Sequence, residues 1–297
     1  MSGGRRFGSR PEKNPGGRSG AGRLPAPRKR FGQHFLTDGR VLDSIADTLG
    51  AIGDRTVLEI GPGRGALTDR LVERAGRVVA IEVDRDLVQH LRARYAGKSH
   101  VEIVEADVLH TNLAELAGGP YVLAGNVPYY ITTPIIFHAL EVPRPDQAVY
   151  LVQKEVADRM AAPPGDKTYG ALSVNLQSVV DVTFIRKVLP GAFNPPPAVD
   201  SAVVSLTPRA TPVVEAALEK RFRSFVLAAF GLRRKQLVRV VRTAASLDAE
   251  RALAVVTACG LNPEVRPETL TPAEFALLVR ALADVSGRDD QAAPSSR

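Results

Sequence analysis

The chain predicts an open, doubly wound α/β sheet followed by a small helical domain. Short apolar runs of strand length alternate with helix-periodic stretches up to residue 208, one run leads through a glycine loop straight into a helix, and beyond residue 211 only helical periodicity continues. At 297 residues the chain has room for two domains, the first large enough for a full seven-stranded sheet. The expected division is a basic, unstructured tail over 1–27, a sheet domain over 28–208, a helical domain over 209–285 and a second unstructured tail over 286–297.

The element that first suggests a ligand is Thr56-Val57-Leu58-Glu59-Ile60, a buried strand, followed at once by Gly61-Pro62-Gly63-Arg64-Gly65 and a periodic helix over Ala66 to Ala75. Glycines let a ligand approach the backbone closely, and the loop opens onto a helix N-terminus. A nicotinamide cofactor fits such a loop too, because Glu82 ends the next strand (Arg77 to Ile81) about 20 residues on, where a carboxylate would hold ribose hydroxyls. The third glycine comes one residue earlier than in Gly-x-Gly-x-x-Gly, however. That spacing favours a methyl donor carrying adenosine but no pyrophosphate.

Asp84 reads as the N-cap of a helix over Asp86 to Tyr95. The next strand, Val101 to Glu105, leads into Ala106-Asp107-Val108, and a further strand, Tyr121 to Ala124, leads into Asn126-Val127-Pro128-Tyr129. Singly, Glu82 and Asp107 also read as cap or turn residues. In register, successive strands present loop glycines, Glu82, Asp107 and Asn126 at their C-terminal ends, where open α/β sheets bind ligands.

The Asn-Val-Pro-Tyr tetrad suits chemistry on a flat base with an exocyclic amine. An adenine amine is a poor nucleophile because its lone pair is delocalised into the ring, so a catalyst must make that nitrogen more tetrahedral with hydrogen-bond acceptors. The Asn126 side-chain oxygen and a backbone carbonyl near Pro128 could each accept one N–H, proline fixes φ, and Tyr129 offers a π-face. A strand ending in an ordinary turn would use the same residue types.

With these segments in hand, the chain resembles the ribosomal RNA adenine N6,N6-dimethyltransferase family, and within it the bacterial small-subunit type. The matching segments are Arg28-Lys29-Arg30-Phe31-Gly32-Gln33-His34-Phe35-Leu36, the glycine loop, Ile81-Glu82, Ala106-Asp107-Val108, the Asn126 tetrad, Val152-Gln153-Lys154-Glu155-Val156-Ala157, Tyr169-Gly170 and Phe193-Asn194-Pro195-Pro196-Pro197. They span about residues 28 to 285 in the family's order. The resemblance implies a class I, Rossmann-like methyltransferase fold, S-adenosylmethionine as methyl donor, and no metal.

The resemblance also implies roles. Gln33, His34 and Leu36 would form an N-terminal wall of the cofactor pocket, Gly61 and Gly63 would pass the methionine part, Glu82 would bind the ribose and Asp107 the adenine. Asn126 would lie between cofactor and target amine, next to Pro128, while Tyr129 and Phe193 would sandwich a flipped adenine. Read without the resemblance, Phe193 is a buried phenylalanine preceding a strand. His34 stands where the family usually has Asn, and Val127 where it has Leu. The implied substrate is two adjacent adenines in a hairpin loop near the 3′ end of small-subunit ribosomal RNA, within an assembling subunit. A large-subunit methyltransferase and a noncatalytic RNA-binding assembly factor on the same fold are the alternatives.

Charge agrees with an RNA partner. Net charge is +7, but residues 1–30 hold nine basic residues against Glu12 alone, so the remainder carries −1. Basicity is local. From Lys220 to Arg242 there are eight basic residues and no acidic one, with Arg233, Arg234 and Lys235 at the centre, which favours phosphate contact over a merely solvated helix face. Lys154 and Arg159 could contact RNA or face solvent.

Cys259, the only cysteine, excludes a disulfide framework or zinc cluster and suits a reducing cytoplasm. Within Ala252 to Ala258 and its continuation it reads as a buried structural thiol. His90, His100, His110 and His138 are too far apart in sequence to suggest a metal site. The Gly-, Arg- and Pro-rich start lacks a signal peptide's apolar core, and no apolar run approaches the roughly 18 residues of a membrane span. A monomer is expected.

Overall fold

The computed structural model of the protein describes residues 25–27 and 32–292. The expected tail over residues 1–24 and the segment Arg28 to Phe31 lie outside the described residues. A two-residue strand β1 (Phe35–Leu36) and helix α1 (Gly39–Thr48) come first. Then strands and helices alternate: β2 (Thr56–Ile60), α2 (Ala66–Val72), β3 (Arg77–Glu82), α3 (Arg85–Arg94), β4 (Val101–Glu105), α4 (Leu113–Ala117), β5 (Tyr121–Asn126) and α5 (Thr132–Ala139). Next come β6 (Gln147–Gln153), α6 (Lys154–Ala161), α7 (Ala171–Gln177), β7 (Val180–Val188), the short β8 (Phe193–Asn194), which pairs with β1 in a separate ribbon, and β9 (Ser201–Pro208).

Seven strands form one sheet in the order β4-β3-β2-β5-β6-β9-β7. The first five are mutually parallel, whereas β9 runs antiparallel to both β6 and β7. Parallel strands covered on both faces must be apolar throughout, and β3, β5 and β6 are almost continuously buried. Alternate residues feed opposite faces: Val57, Val78 and Val122 join Ile45 of α1, Leu71 of α2 and Leu91 of α3 on one side. Leu58, Val79 and Leu123 face the other, with Ile135 of α5 and Leu172 of α7. After β2 the chain builds outward through β3 and β4, then returns to place β5 on β2's other side. A crevice therefore opens at the C-terminal ends of β2 and β5, the switch point of the sheet.

Helices α8 (Glu219–Gly231), α9 (Leu237–Ala244), α10 (Ala249–Ala258) and α11 (Pro272–Ala292) follow. Their apolar residues, Phe222, Val240, Val256 and Phe275 among them, belong to the same cluster as one face of the sheet. The join is polar as well: the Tyr169 hydroxyl donates to the Leu270 carbonyl at 2.8 Å, and the nearly buried Arg144 and Glu219 pair at 2.5 Å. Thr271 and Glu274 close a reciprocal cap at the start of α11. One expectation fails at its other end. The last helix continues to Ala292, into the segment expected to be unstructured, with no proline before Pro294 to stop it.

Among the sheet's buried residues, Glu59, the next-to-last residue of β2, is unusual. It is 1 % exposed, and its Oε2 has no hydrogen-bond partner among the described residues. Burial pushes its carboxyl up to about 8, opposed by Thr68 and reinforced by the carboxylates of Asp69 and Glu82. In the unfolded chain the group ionises near its ordinary value of about 4.3. Between those values the folded state holds a proton that the unfolded state has lost, so this contribution is fully present below about 4.3 and is lost as pH rises toward 8, at up to about 1.4 kcal/mol per pH unit. Thermal melts should show the parent losing stability from pH 5 to pH 8 more steeply than Glu59→Gln; equal slopes would mean that Glu59 is ionised in the fold.

Candidate active site

A cleft open to solvent lies at the switch point. Its walls come from the ends of β2, β3, β4 and β5 and from the segment before β1, and they include Gln33, His34, Gly61, Gly63, Glu82, Asp107, Asn126, Pro128 and Tyr129. Leu36 is set apart from these. It is buried and lines an adjoining cavity that shares Phe35, Gly61, Gly63 and Asn126 with the cleft.

The glycine loop is shaped by its neighbours. Gly63 has φ +59°, and a Cβ there would stand 2.9 Å from the Phe35 ring, so any other residue would displace that ring. The Arg64 guanidinium lies 4.3 Å from the centroid of the same ring and donates to the Pro25 carbonyl. Glu82, the last residue of β3, is fixed by three backbone N–H groups: Gly63 donates to Oε2, and Val83 and Asp84 donate to Oε1. Burial raises its carboxyl above the ordinary range while those hydrogen bonds pull the other way. Asp84 caps α3 through Asp86 N–H, as its position suggested, and also accepts from Gln33 Nε2 at 3.1 Å. Asp107 does two things at once: it accepts from Leu109 N–H at 3.0 Å as a cap, and it stands half-exposed on the cleft wall beside Val108.

Asn126 ends β5. Its Nδ2 donates to the His34 carbonyl at 3.0 Å, which fixes the amide's orientation and leaves Oδ1 without a donor among the described residues. Pro128 has φ −58°, and its carbonyl accepts from Ile131 N–H and from the Thr132 hydroxyl. Both lone pairs of that oxygen are thus engaged in the turn. The Tyr129 hydroxyl bonds to Ser201 Oγ at 2.5 Å, and its ring stacks on that of His34 at 5.9 Å between centroids and 21° between planes. His34 Nδ1 lies 2.9 Å from the Pro195 carbonyl. A carbonyl oxygen only accepts, so Nδ1 carries the proton. Tyr130, 61 % exposed, stands at the rim.

Phe193 corrects an expectation. It is 4 % exposed, does not line the cleft, and belongs to the apolar cluster with Leu36, Ala192 and Val203. Its backbone pairs with Leu36 in the β1–β8 ribbon, which commits its ring to the core, and the reading as a packed phenylalanine describes it. The Asn194–Pro195 bond that follows it is cis.

Arg233, Arg234 and Lys235 are exposed in the turn between α8 and α9 and do not line the cleft. Some of the surrounding basic run is already engaged: Arg221 donates to the Leu282 carbonyl, Arg223 lies over the Phe137 ring, and Arg233 pairs with Glu268 at 3.4 Å. Lys154 pairs with Asp158 on α6. Sequence reasoning missed Phe35 as the partner of Gly63, Thr132 as the lock on the Pro128 carbonyl, and Ser201. The first two lie within or beside motifs already noticed, whereas nothing near Ser201 in the sequence connects it with Tyr129. Among the described residues no cluster of three or more His, Cys, Asp or Glu could hold a metal, and no helix is long and apolar enough to cross a membrane.

The group that such a cleft would hold can be tested against its walls. A carboxylate held by backbone donors at the end of β3, a second at the end of β4, apolar Ile81 and Val108 between them, and a loop that admits no Cβ at Gly63 fit an adenosine whose sugar hydroxyls need acceptors and whose ring needs a dry slot.

Comparison with known proteins agrees. The family model for ribosomal RNA adenine dimethylase matches residues 26–284. The ribosomal RNA small subunit methyltransferase A of Geobacter metallireducens is 43 % identical over 269 residues, covering 88 % of this chain and 97 % of its own. That of Xanthomonas campestris pv. campestris is 44 % identical over 250 residues, covering 84 % and 93 %. Among solved structures, a dimethyladenosine transferase from Plasmodium falciparum superposes with TM-score 0.74 at 27 % identity, covering 85 % of this chain and 98 % of its own. The 23S rRNA methyltransferase ErmE does so with TM-score 0.67 at 30 % identity, covering 84 % and 99 %. The chain belongs to the ribosomal RNA adenine dimethylase family.

Proposed function

We propose that the chain dimethylates the N6 amines of two adjacent adenines in a hairpin loop near the 3′ end of small-subunit ribosomal RNA, within an assembling subunit, using S-adenosylmethionine. The observation that carries this reading is Asn126 Oδ1, an acceptor with no donor among the described residues, beside the Tyr129 ring and across the cleft from Glu82 and Asp107. Family membership supports the reaction, and the two small-subunit relatives at 43 % and 44 % identity support that substrate over the large-subunit one. Site of action in the cytoplasm and a monomeric state belong to the same proposal.

Bound S-adenosylmethionine would supply an electrophilic methyl group. The protein's own part is to orient and polarise. Glu82 accepts from the ribose hydroxyls and Asp107 from the cofactor's adenine amine, with Gln33, His34 and Leu36 closing the N-terminal side. Tyr129 would stack on the target base, and Asn126 Oδ1 would accept one N–H of the amine, drawing its lone pair out of conjugation and toward the methyl donor. Because Nδ2 is tied to the His34 carbonyl, that acceptor is oriented before the base arrives. The helical region over 209–285 would dock on RNA through Arg234, Lys235 and the partly paired Arg233.

The reading is tested by incubating the protein with labelled methyl donor and separated ribosomal subunits lacking the modification, then mapping the methylated adenines. Label is expected in two adjacent adenines of the small subunit; label confined to the large subunit would overturn the assignment. In the same assay Asn126→Ala should lower turnover by about 10² or more while leaving cofactor affinity nearly unchanged. Calorimetry with Glu82→Ala should show the dissociation constant for S-adenosylmethionine raised about tenfold or more, through loss of charge-assisted hydrogen bonds; unchanged affinity would remove Glu82 from the pocket's chemistry. Replacing Arg233, Arg234 and Lys235 by alanine should depress methylation of the small subunit far more than binding to random RNA. Deleting residues 1–27, which removes six basic residues and Glu12, should weaken binding to all RNAs alike.

A further inference from the structure

We propose that Ser201 is a positioning residue for the base platform: its hydroxyl holds the Tyr129 ring at the angle that stacks the target adenine beneath Asn126. This rests on the function proposed above. Ser201 is fully buried and cannot itself touch a substrate. It is the first residue of β9, paired in the sheet with Gln153 of β6 and Val188 of β7, so its Cα is among the more rigid points near the cleft. Tyr129 by contrast sits on a single turn of 3₁₀ helix after β5, half-buried, with a ring that rotation about two side-chain bonds would otherwise leave free to swing.

The 2.5 Å contact between Tyr129 Oη and Ser201 Oγ fixes the far end of the ring. His34 stacks against the same ring, and its own ring is held by the Pro195 carbonyl. Pro195 lies in the loop that runs directly into Ser201. One stretch of chain, from Pro195 to Ser201, therefore restrains Tyr129 twice, through a hydroxyl directly and through His34 indirectly. Burial keeps the phenol of Tyr129 above its ordinary range, so it stays protonated and either hydroxyl can act as donor.

The experiment is a double-mutant cycle. On small subunits lacking the modification, Ser201→Ala and Tyr129→Phe should each lower kcat about fivefold, as loss of one hydrogen bond would, and the double variant should lose no more than either single. Cofactor affinity should stay at the parental value, and Ser201→Thr, which keeps a hydroxyl, should recover most of the rate. A parental rate in Ser201→Ala, single losses that multiply in the double variant, or losses that track a fall in cofactor affinity would each overturn the proposal. Should Ser201→Ala fail to fold, Tyr129→Phe removes the same bond with the strand intact, and a parental kcat there is equally fatal. A second arm uses no RNA. In protein labelled with 3-fluorotyrosine, the resonance of Tyr129, assigned by its loss in Tyr129→Phe, should be a single sharp line that broadens or splits in Ser201→Ala; an unchanged line would show that Ser201 does not restrain the ring. Because that arm is independent of substrate, a parent inactive on small subunits would sink the substrate reading alone.

Discussion

The site depends on how closely β5 can lie against β2. The two strands pair Ile60 with Gly125, and a Cβ at Gly125 would come 2.9 Å from the Ile60 carbonyl oxygen. That spacing sets Asn126 beside Gly61, the first residue of the loop, and the loop in turn presents Gly63 N–H to Glu82. A larger residue at 125 would have to part the strands or rotate β5. In either case the acceptor on Asn126 and the carboxylate on β3 would no longer face one volume. The chemistry is therefore arranged by backbone packing at the switch point first, and only afterwards by the side chains named for it.

Much of this was legible because it is local. Strands β2 to β5 and the residues at their ends follow from apolar runs of the right length, and in a parallel sheet those ends must lie side by side. What escaped depends on partners far off in the chain. Phe193 looked available for stacking until its backbone paired with Leu36. Ser201 gave no sign at all. A lone serine at the start of a strand has many uses, and only the folded geometry brings its hydroxyl to Tyr129.

The charge pattern needed a similar refinement. Eight cations without an intervening acid suggested a continuous patch, but fold stability claims part of it: Arg221 donates to the Leu282 carbonyl midway along α11 and Arg223 covers an aromatic ring. Arg233 is shared with Glu268. The cationic surface is therefore narrower than a count of residues implies, and centred on the α8–α9 turn. Phe35 shows the same economy near the cleft, packing under Gly63 while Arg64 lies on its ring.

The contacts that enclose the cleft are among the least local in the chain. Asn126 reaches the His34 carbonyl across 92 residues, Tyr129 reaches Ser201 across 72, Thr37 reaches the Ala192 carbonyl across 155, and His34 reaches Pro195 across 161. Closing such loops costs entropy that nearby contacts do not repay, so the segment around residues 33–38 gains its last partners only after the chain beyond residue 195 has been made and folded back. The sheet can assemble strand by strand on the ribosome while the methylation cleft stays incomplete. In the finished protein the same ordering makes this rim an early unit to open, so amide exchange there would report a lower protection than in β3, β5 or β6.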